Sequence, residues 1–218
     1  MDHLAYLEGE VVAMAAALRA VDLSSAVPAC PGWTRQDLAN HLAAVHRWVR
    51  LALNNEGSPP YDESVVTSPD EYEAVATTMV SRLREMSPED PCWTFNRDNQ
   101  TTSFWRRRQL QEVSIHRWDA DEHDLDPDVA ADGISEVVDF FLPRLLGQGR
   151  TEVPDGTVVL DAGSRSWTLR ATDGPRVVVH GDAPALNLLL WGRRTLKDTT
   201  VEGDAAFATA FFDATLTP

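Results

Sequence analysis

The sequence predicts an α+β protein of two domains, a helical bundle followed by a smaller α+β domain. Stripes of apolar residues at steps of three and four recur over about the first 150 residues, and helix-capping residues precede several of them. After Gly147 the pattern changes to short β-branched segments. A chain of 218 residues that is 43% hydrophobic can bury two modest cores. We therefore place the bundle at residues 1–150 and the small domain at residues 151–218.

The first three predicted helices each carry one apolar stripe. The stripe of the first helix is Leu4, Leu7, Val11, Met14 and Leu18. The second helix follows the break VPACPGW, with Thr34 as its N-cap and Asp37 as the partner that closes a capping box. The third helix has Ser68 as its cap, Pro69 at its first position and Glu71 closing the box.

Two further helices and a mixed segment complete the predicted order. The stretch SFWRRRQLQEVSIHRWDADEH predicts a fourth helix capped by Ser103, and residues 133–146 predict a fifth that Pro143 kinks or ends. TVVLDAGSRSWTLR predicts two strands around a Gly-Ser turn, and PRVVVHG and TTVEGD predict two more. DAPALNLLLWGRR predicts a helix capped by Asp182, and AAFATAFFDATL a closing helix.

The charge of the chain excludes several classes of partner. Its formal net charge of -15, from 34 acidic and 19 basic side chains, disfavours nucleic acid and anionic lipid, and the basic run at residues 106–108 is too short to reverse this. The N-terminus MDHLAYLEGE does not resemble a signal peptide, and no run of about 18 apolar residues predicts a membrane span. We expect a cytoplasmic protein that binds neither nucleic acid nor membrane. Cys30 and Cys92 are too few for a disulfide framework and are interpreted as small packed side chains.

Polar residues on two predicted helices point toward the interior of the bundle. Glu112 and His116 are four residues apart on the fourth helix, so they differ by about 40° around its axis and share the arc of Trp105 and Ile115. His41 falls on the inward arc of the second helix. Two imidazoles and a carboxylate suit zinc or a similar divalent ion, and three protein ligands leave one coordination position open.

This pattern leaves a second interpretation open, since inward histidines are often hydrogen-bonded core residues without a metal. His46 lies at the edge of the apolar arc of its helix. His123 shares the face of His116 but lies about 10 Å farther along the helix, too far to bind the same ion.

Three stretches together resemble a known family: VPACPGWTRQDLANHLAAVHRW, EVSIHRWDAD and LNLLLWGRRTLKDTTVEGD. They are similar to the maleylpyruvate isomerase family of mycothiol-dependent metalloenzymes, and the resemblance covers nearly the whole chain. It implies a DinB-like four-helix N-terminal domain in which His41, Glu112 and His116 bind a metal, normally zinc. It also implies that an arginine of the C-terminal domain assists at the active site. Arg193 is the best match for that arginine, with Arg194 directly beside it.

The resemblance implies two cofactors, Zn²⁺ or a similar divalent metal and the low-molecular-weight thiol mycothiol. A thiol bound to the open position of the metal should lose its proton and become a nucleophile at neutral pH. The thiolate would then act on a small electrophile, either by cis–trans isomerisation or by S-transfer, while Arg193 holds a substrate carboxylate. Asp119 either hydrogen-bonds a ligand histidine or is solvated, and Trp33 either packs or borders the pocket.

Other functions and the oligomeric state stay open at this point. The bundle could be a non-catalytic, metal-binding stress-response or regulatory module, in which case a fourth protein group such as His46 or Asp119 should complete the coordination. The domain at residues 151–218 could instead bind an apolar ligand, as sterol-carrier-like folds do.

Overall fold

The structure, a computed structural model, describes residues 1–54 and 57–218. It divides into two compact units, Met1–His123 and Asp124–Pro218. The predicted fold class is confirmed, because the first unit is helical and the second combines a small sheet with helices. The sequence-based division at about residue 150 lies inside the second unit, so the two boundaries differ by the segment 124–150.

The first unit is a four-helix bundle. Its helices are α1 (His3–Ala20), α2 (Arg35–Ala52), α3 (Pro69–Glu85) and α4 (Thr102–Asp121). Helix α1 packs against α3 and α4, and α2 packs against the same two helices, so each helix has two neighbours. The predicted stripe of α1 faces the core, where Leu7, Val11, Met14 and Leu18 are buried. This arrangement places α2 beside α4.

The structure shows which of the predicted helix caps form. The Thr34 side chain accepts a hydrogen bond from the Asp37 amide and the Asp37 carboxylate accepts one from Thr34, so the predicted capping box at α2 is confirmed. Ser68 caps α3 by accepting from the Glu71 amide. The Glu71 carboxylate bonds to Thr67 rather than to Ser68, so the second predicted box is wrong.

The predicted cap of α4 is also wrong. The helix begins at Thr102 with Thr101 as its N-cap, and the Thr101 side chain makes no capping bond. The amides of Thr102 and Ser103 instead donate to the carbonyl oxygens of Asp90 and Pro88, at 3.0 and 2.8 Å. Because the preceding loop folds back and supplies these backbone acceptors, the helix start needs no side-chain cap.

The second unit begins with a helical segment that the sequence placed in the bundle. Helix α5 (Pro127–Glu136) is followed by a π-helical turn (Val137–Phe141) and by α6 (Leu142–Gly147). Pro143 lies in the first turn of α6, so it interrupts the segment without ending it. Helix α5 packs against α7, and the Ser135 hydroxyl accepts a hydrogen bond from Trp167 Nε1 at 2.9 Å. These contacts explain why residues 124–150 belong to the same unit as the sheet.

The rest of the second unit is a four-stranded sheet with helices. Its strands are β1 (Thr157–Asp161), β2 (Ser166–Ala171), β3 (Arg176–His180) and β4 (Thr200–Gly203), in the order β2-β1-β3-β4. Strand β3 runs parallel to β1, whereas β2 and β4 are antiparallel to their neighbours. Helix α7 (Ala183–Leu190) is capped by Asp182 as predicted, and α8 (Ala205–Phe212) closes the unit. Within residues 1–54 and 57–218, no helix has both the length and the apolar character that spanning a membrane requires.

Candidate metal centre

Helices α2 and α4 lie side by side in opposite directions and bring polar residues together at one end of their contact. His41 of α2 lies beside Glu112 of α4, with 3.0 Å between Nε2 and Oε1. Trp48 follows His41 by seven residues on α2, and Trp105 precedes Glu112 by seven residues on α4. These two tryptophans also lie beside each other. Because seven residues are about two helical turns, these pairs are about 10 Å apart along the helices.

Three donor atoms converge at the polar end. His116 Nε2 lies 3.6 Å from the same Glu112 Oε1 that His41 approaches, and the ligand atoms of all three residues lie within 4.8 Å of one another. The side chains of His41, Glu112 and His116 are 29%, 18% and 12% exposed. This exposure leaves the cluster accessible to a small molecule while most of each side chain is held by the protein. The structure therefore brings together the three residues that the sequence predicts as ligands.

The spacing of these atoms fits a divalent cation. Nitrogen and oxygen ligands at about 2.0 to 2.1 Å from a tetrahedral zinc ion lie about 3.3 Å apart. The two separations in the structure, 3.0 and 3.6 Å, are on either side of that value. The donor set of two imidazoles and one carboxylate is also one that zinc prefers. The residues present thus fit the metal that the sequence resemblance implies.

Two neighbouring charged groups orient the ligands. Asp119 Oδ2 accepts a hydrogen bond from His116 Nδ1 at 2.9 Å. This bond keeps a proton on Nδ1, so the proton that His116 must lose to bind a metal is the one on Nε2, the atom that faces Glu112. Arg108 is buried and donates from Nη2 to Glu112 Oε2 at 3.0 Å, so Oε1 is the oxygen directed toward the histidines. Of the two roles considered for Asp119, the structure supports the hydrogen-bonding one.

The surroundings of Glu112 and His116 favour the charged form of each side chain, a carboxylate for Glu112 and an imidazolium for His116. Burial alone would lower the pKa of His116, but its hydrogen bonds to Asp119, Cys30 and Glu112 raise that pKa well above the ordinary value. Burial alone would raise the pKa of Glu112, but hydrogen bonds from both histidines and the charge of Arg108 hold it well below the ordinary value. A carboxylate that stays ionised under burial is suited to binding a cation.

A loop before α2 adds two residues to the cluster. Cys30 Sγ donates to Asp119 Oδ2 at 3.5 Å, and the Trp33 ring stacks near the His116 ring with 6.4 Å between centroids. Gly32, with φ of +86°, allows the tight turn between Cys30 and Trp33, in which the Trp33 amide donates to the Cys30 carbonyl. Trp33 thus borders the cluster, which was one of the two roles predicted for it.

The sequence analysis missed the contributions of Cys30 and Arg108. Arg108 precedes Glu112 by four residues on the same helix, and this spacing could have indicated the ion pair. Cys30 and Asp119 are 89 residues apart, and no local pattern predicts their contact.

The remaining candidate residues lie elsewhere. His46, predicted at the edge of the apolar arc, is fully buried, and its ring nitrogens face Gln109 Oε1 at 2.8 Å and the Tyr72 hydroxyl at 3.4 Å. His123 bonds to Asp121, as expected for a residue outside the site. In the second unit Arg193 follows α7 and donates to the Trp191 carbonyl at 2.7 Å.

Comparison with protein families identifies the chain. Residues 4–121, more than half of it, match the model described as the mycothiol maleylpyruvate isomerase N-terminal domain. The chain belongs to the mycothiol maleylpyruvate isomerase family. Residues 128–209 match the C-terminal domain model of the same family. The N-terminal match contains His41, Glu112 and His116, and the C-terminal match contains Arg193.

Solved structures of this family have the same fold. A crystal structure of the mycothiol-dependent maleylpyruvate isomerase aligns with a TM-score of 0.66 at 20% identity, over 92% of this chain and 91% of that one. A histidine-to-alanine mutant of the mycothiol-dependent maleylpyruvate isomerase aligns with the same TM-score at 18% identity, over the same shares of the two chains. No curated protein sequence matches this member of the family significantly. The family resemblance predicted from the sequence is confirmed.

Proposed function

We propose that this protein is a mycothiol-dependent metalloenzyme that acts on a small electrophile, by cis–trans isomerisation in the manner of a maleylpyruvate isomerase or by S-transfer. The convergence of His41, Glu112 and His116 at the partly exposed end of the α2–α4 contact is the observation that carries the proposal. Zn²⁺ or a similar divalent ion would be held by these three residues. Such an ion supplies positive charge that stabilises the thiolate form of a bound thiol.

The surrounding residues prepare this donor set before any ligand arrives. Asp119 holds a proton on His116 Nδ1, and Arg108 holds Glu112 Oε2, so neither ligand has to reorient. The Trp33 ring lies beside the rings of both His41 and His116, with 5.1 and 6.4 Å between ring centroids, and borders that side of the cluster. Preorganised ligands of this kind support a site that binds a metal and keeps one side for a substrate.

A non-catalytic role would require a fourth protein ligand to close the coordination. The two residues considered for it, His46 and Asp119, are engaged differently: His46 bonds to Gln109 in the core, and Asp119 bonds to the outer nitrogen of His116. These contacts favour catalysis over a purely structural metal site.

Metal analysis of the purified protein is the first test. We expect about one divalent ion held by the three residues, lost in His116→Ala and retained in the control His123→Ala, whose side chain bonds to Asp121 instead. Full thiol-dependent activity in the complete absence of metal would contradict the proposal. Loss of maleylpyruvate that depends on the thiol would indicate an isomerase, and conjugation of a model electrophile would indicate an S-transferase.

Arg193 is proposed to bind a carboxylate of the substrate, since a guanidinium group can bind a carboxylate through two hydrogen bonds. Arg193→Lys keeps the charge but loses that geometry, so KM for a carboxylate substrate should rise while the metal content stays unchanged. The neighbouring Arg194, which lies 3.8 Å from Asp198, provides the matched control. An equal effect of Arg194→Lys, or none of Arg193→Lys, would refute the assignment.

A further inference from the structure

The His116 ring faces two different sets of possible metal ligands. Its Nε2 faces Glu112 and thereby the proposed catalytic cluster, while its Nδ1 faces Asp119. Cys30, His116 and Asp119 also have ligand atoms within 4.8 Å of one another. A thiol, a carboxylate and an imidazole nitrogen therefore meet on the side of His116 away from Glu112.

The spacing of this second set also fits a tetrahedral ion. A sulfur at about 2.3 Å and an oxygen at about 2.0 Å from such an ion lie about 3.5 Å apart. The distance between Cys30 Sγ and Asp119 Oδ2 is 3.5 Å. His116 Nδ1 lies 2.9 Å from the same oxygen, so a shift of a few tenths of an ångström would bring this pair to about 3.3 Å.

The chemistry of the second set differs from that of the first. It replaces one imidazole with a thiol, and thiolate ligands select softer ions such as Zn²⁺ and Cd²⁺ over Mg²⁺ or Ca²⁺. The Asp119 side chain is fully buried, so its carboxylate charge is little screened by water. The turn that carries Cys30 is closed by hydrogen bonds from the Cys30 amide to Val27 and from the Trp33 amide to Cys30. The donors thus have fixed positions.

We infer that Cys30, Asp119 and His116 Nδ1 form a second site for a soft divalent cation, and that the His116 ring bridges this site and the catalytic cluster. Binding of the ion replaces one proton on Cys30 Sγ and one on His116 Nδ1, and both protons go to the solvent. No residue is oxidised or reduced.

Because one ring serves both sites, their occupancies are coupled. Binding of one ion changes the charge and the proton on the imidazole that the other ion uses. Each site also keeps residues of its own, His41 and Glu112 in one and Cys30 and Asp119 in the other. Substitutions outside the shared ring can therefore separate the two.

Cadmium binding to the full-length protein tests the inference without an activity assay. The protein is saturated with Cd²⁺ and freed of excess ion, and we then measure total divalent metal per chain and the sulfur-to-cadmium absorption in the ultraviolet. We expect two ions per wild-type chain together with the thiolate absorption. Cys30→Ser should lose one ion and the absorption, and His41→Ala should lose one ion but keep the absorption.

Cys92→Ser is the matched control, because Cys92 is the other free thiol and lies outside both donor sets. Its metal content and absorption should equal those of the wild type. One ion per wild-type chain, absorption that disappears with Cys92, or absorption lost in His41→Ala would overturn the inference. Absence of thiol-dependent catalysis would refute the proposed function but leave this result unaffected, because cadmium content and absorption do not depend on turnover.

Discussion

The two ends of the α2–α4 contact are built from opposite kinds of side chain. At one end Trp48 packs edge-on against Trp105 with 5.3 Å between ring centroids, and Trp93 and Phe95 extend the aromatic cluster. Trp105 is fully buried, and its Nε1 donates to the Trp93 carbonyl at 2.7 Å. At the other end the same helices present histidines and a carboxylate.

The polar end of the contact should stabilise the fold less than the aromatic end, because polar side chains replace apolar ones there. Burying an aromatic side chain stabilises a fold by several kcal/mol, about 1.5 to 3 for Phe, whereas burying polar groups stabilises it only when each is hydrogen-bonded. His41, Glu112 and His116 are each held by hydrogen bonds or ion pairs. The aromatic end thus packs the two helices together, and the polar end carries the donor set that we propose binds a metal.

Truncation at the aromatic end should produce the largest effect on stability. Trp105→Ala removes a fully buried indole and leaves a cavity, and we expect the free energy of unfolding of the first unit to fall by about 3 to 5 kcal/mol. Urea denaturation with a probe in the first unit measures this change. At urea concentrations too low to unfold the variant, its metal content should stay at the wild-type level, because the proposed ligands lie about two helical turns from Trp105.

Trp105→Phe is the matched control for that experiment, since it keeps an aromatic ring and should lose less. A loss below about 1 kcal/mol for Trp105→Ala would show that the aromatic cluster does not hold the contact, because such truncations typically cost several times more.

His46 lies between the two ends and should make stability depend on pH. Burial lowers the pKa of His46 from 6.5 to about 4, although its bond to Gln109 opposes the shift. Above pH 6.5 the ring is neutral in both folded and unfolded chains. As the pH falls toward 4 only the unfolded chain takes up a proton, so His46 should reduce the free energy of unfolding by about 3 kcal/mol across this window.

His46→Gln lacks the titrating group, and comparison with the wild type isolates its contribution. The variant should lose less stability than the wild type between pH 6.5 and pH 4, whatever its stability at neutral pH. Denaturation curves at several pH values give this difference. Parallel pH profiles for the two proteins would show that the ring is not buried in its neutral form.

Local sequence patterns predicted the helices and strands because their causes are local. The stripe of α1, the Thr34 capping box and the Asp182 cap each depend on residues a few positions apart. The Ser103 cap was wrong because backbone acceptors from Pro88 and Asp90, more than ten residues away, satisfy the start of α4. The contact of Ser135 with Trp167, which joins α5 to the second unit, is likewise invisible to a local pattern.

The same limit applies to the candidate site. Angles around two helices were enough to place His41, Glu112 and His116 on inward faces, and the structure brings them together. Their role as ligands stays a prediction. Cys30 approaches Asp119 from a loop whose path depends on tertiary packing, and His46 is buried because Gln109 and Tyr72 on other helices bond its ring. Neither contact has a periodicity that sequence alone could show.

Substitution of Asp119 should change metal affinity at the polar end of the α2–α4 contact and leave the aromatic end unchanged. Asp119→Asn keeps the shape of the side chain but removes the charge that accepts from His116 Nδ1. We expect metal affinity at the proposed His41–Glu112–His116 site to fall about 10- to 100-fold, or about 1.4 to 2.7 kcal/mol, as is typical when the outer partner of a ligand histidine is lost. Competition with a chelator measures the affinity.

Asp121→Asn supplies the control for this substitution, because Asp121 bonds to His123 and not to the proposed ligands. The control should bind metal as tightly as the wild type. Equal affinities for Asp119→Asn and the wild type would show that the bond to His116 does not tune the site.

Substitution at the N-cap of α2 should have the smallest effect of the four, because the cap stabilises the helix end and does not contact the proposed metal ligands. Thr34→Ala removes the side chain that caps the Asp37 amide, and we expect the free energy of unfolding to fall by about 1 kcal/mol. Thr34→Ser keeps the capping hydroxyl and should lose less. His41 lies seven residues farther along, about two turns into the helix, so metal affinity should be nearly the same in both variants. A loss of affinity in Thr34→Ala that Thr34→Ser restores would show that the cap also positions His41, and the two roles of α2 would then not be separable.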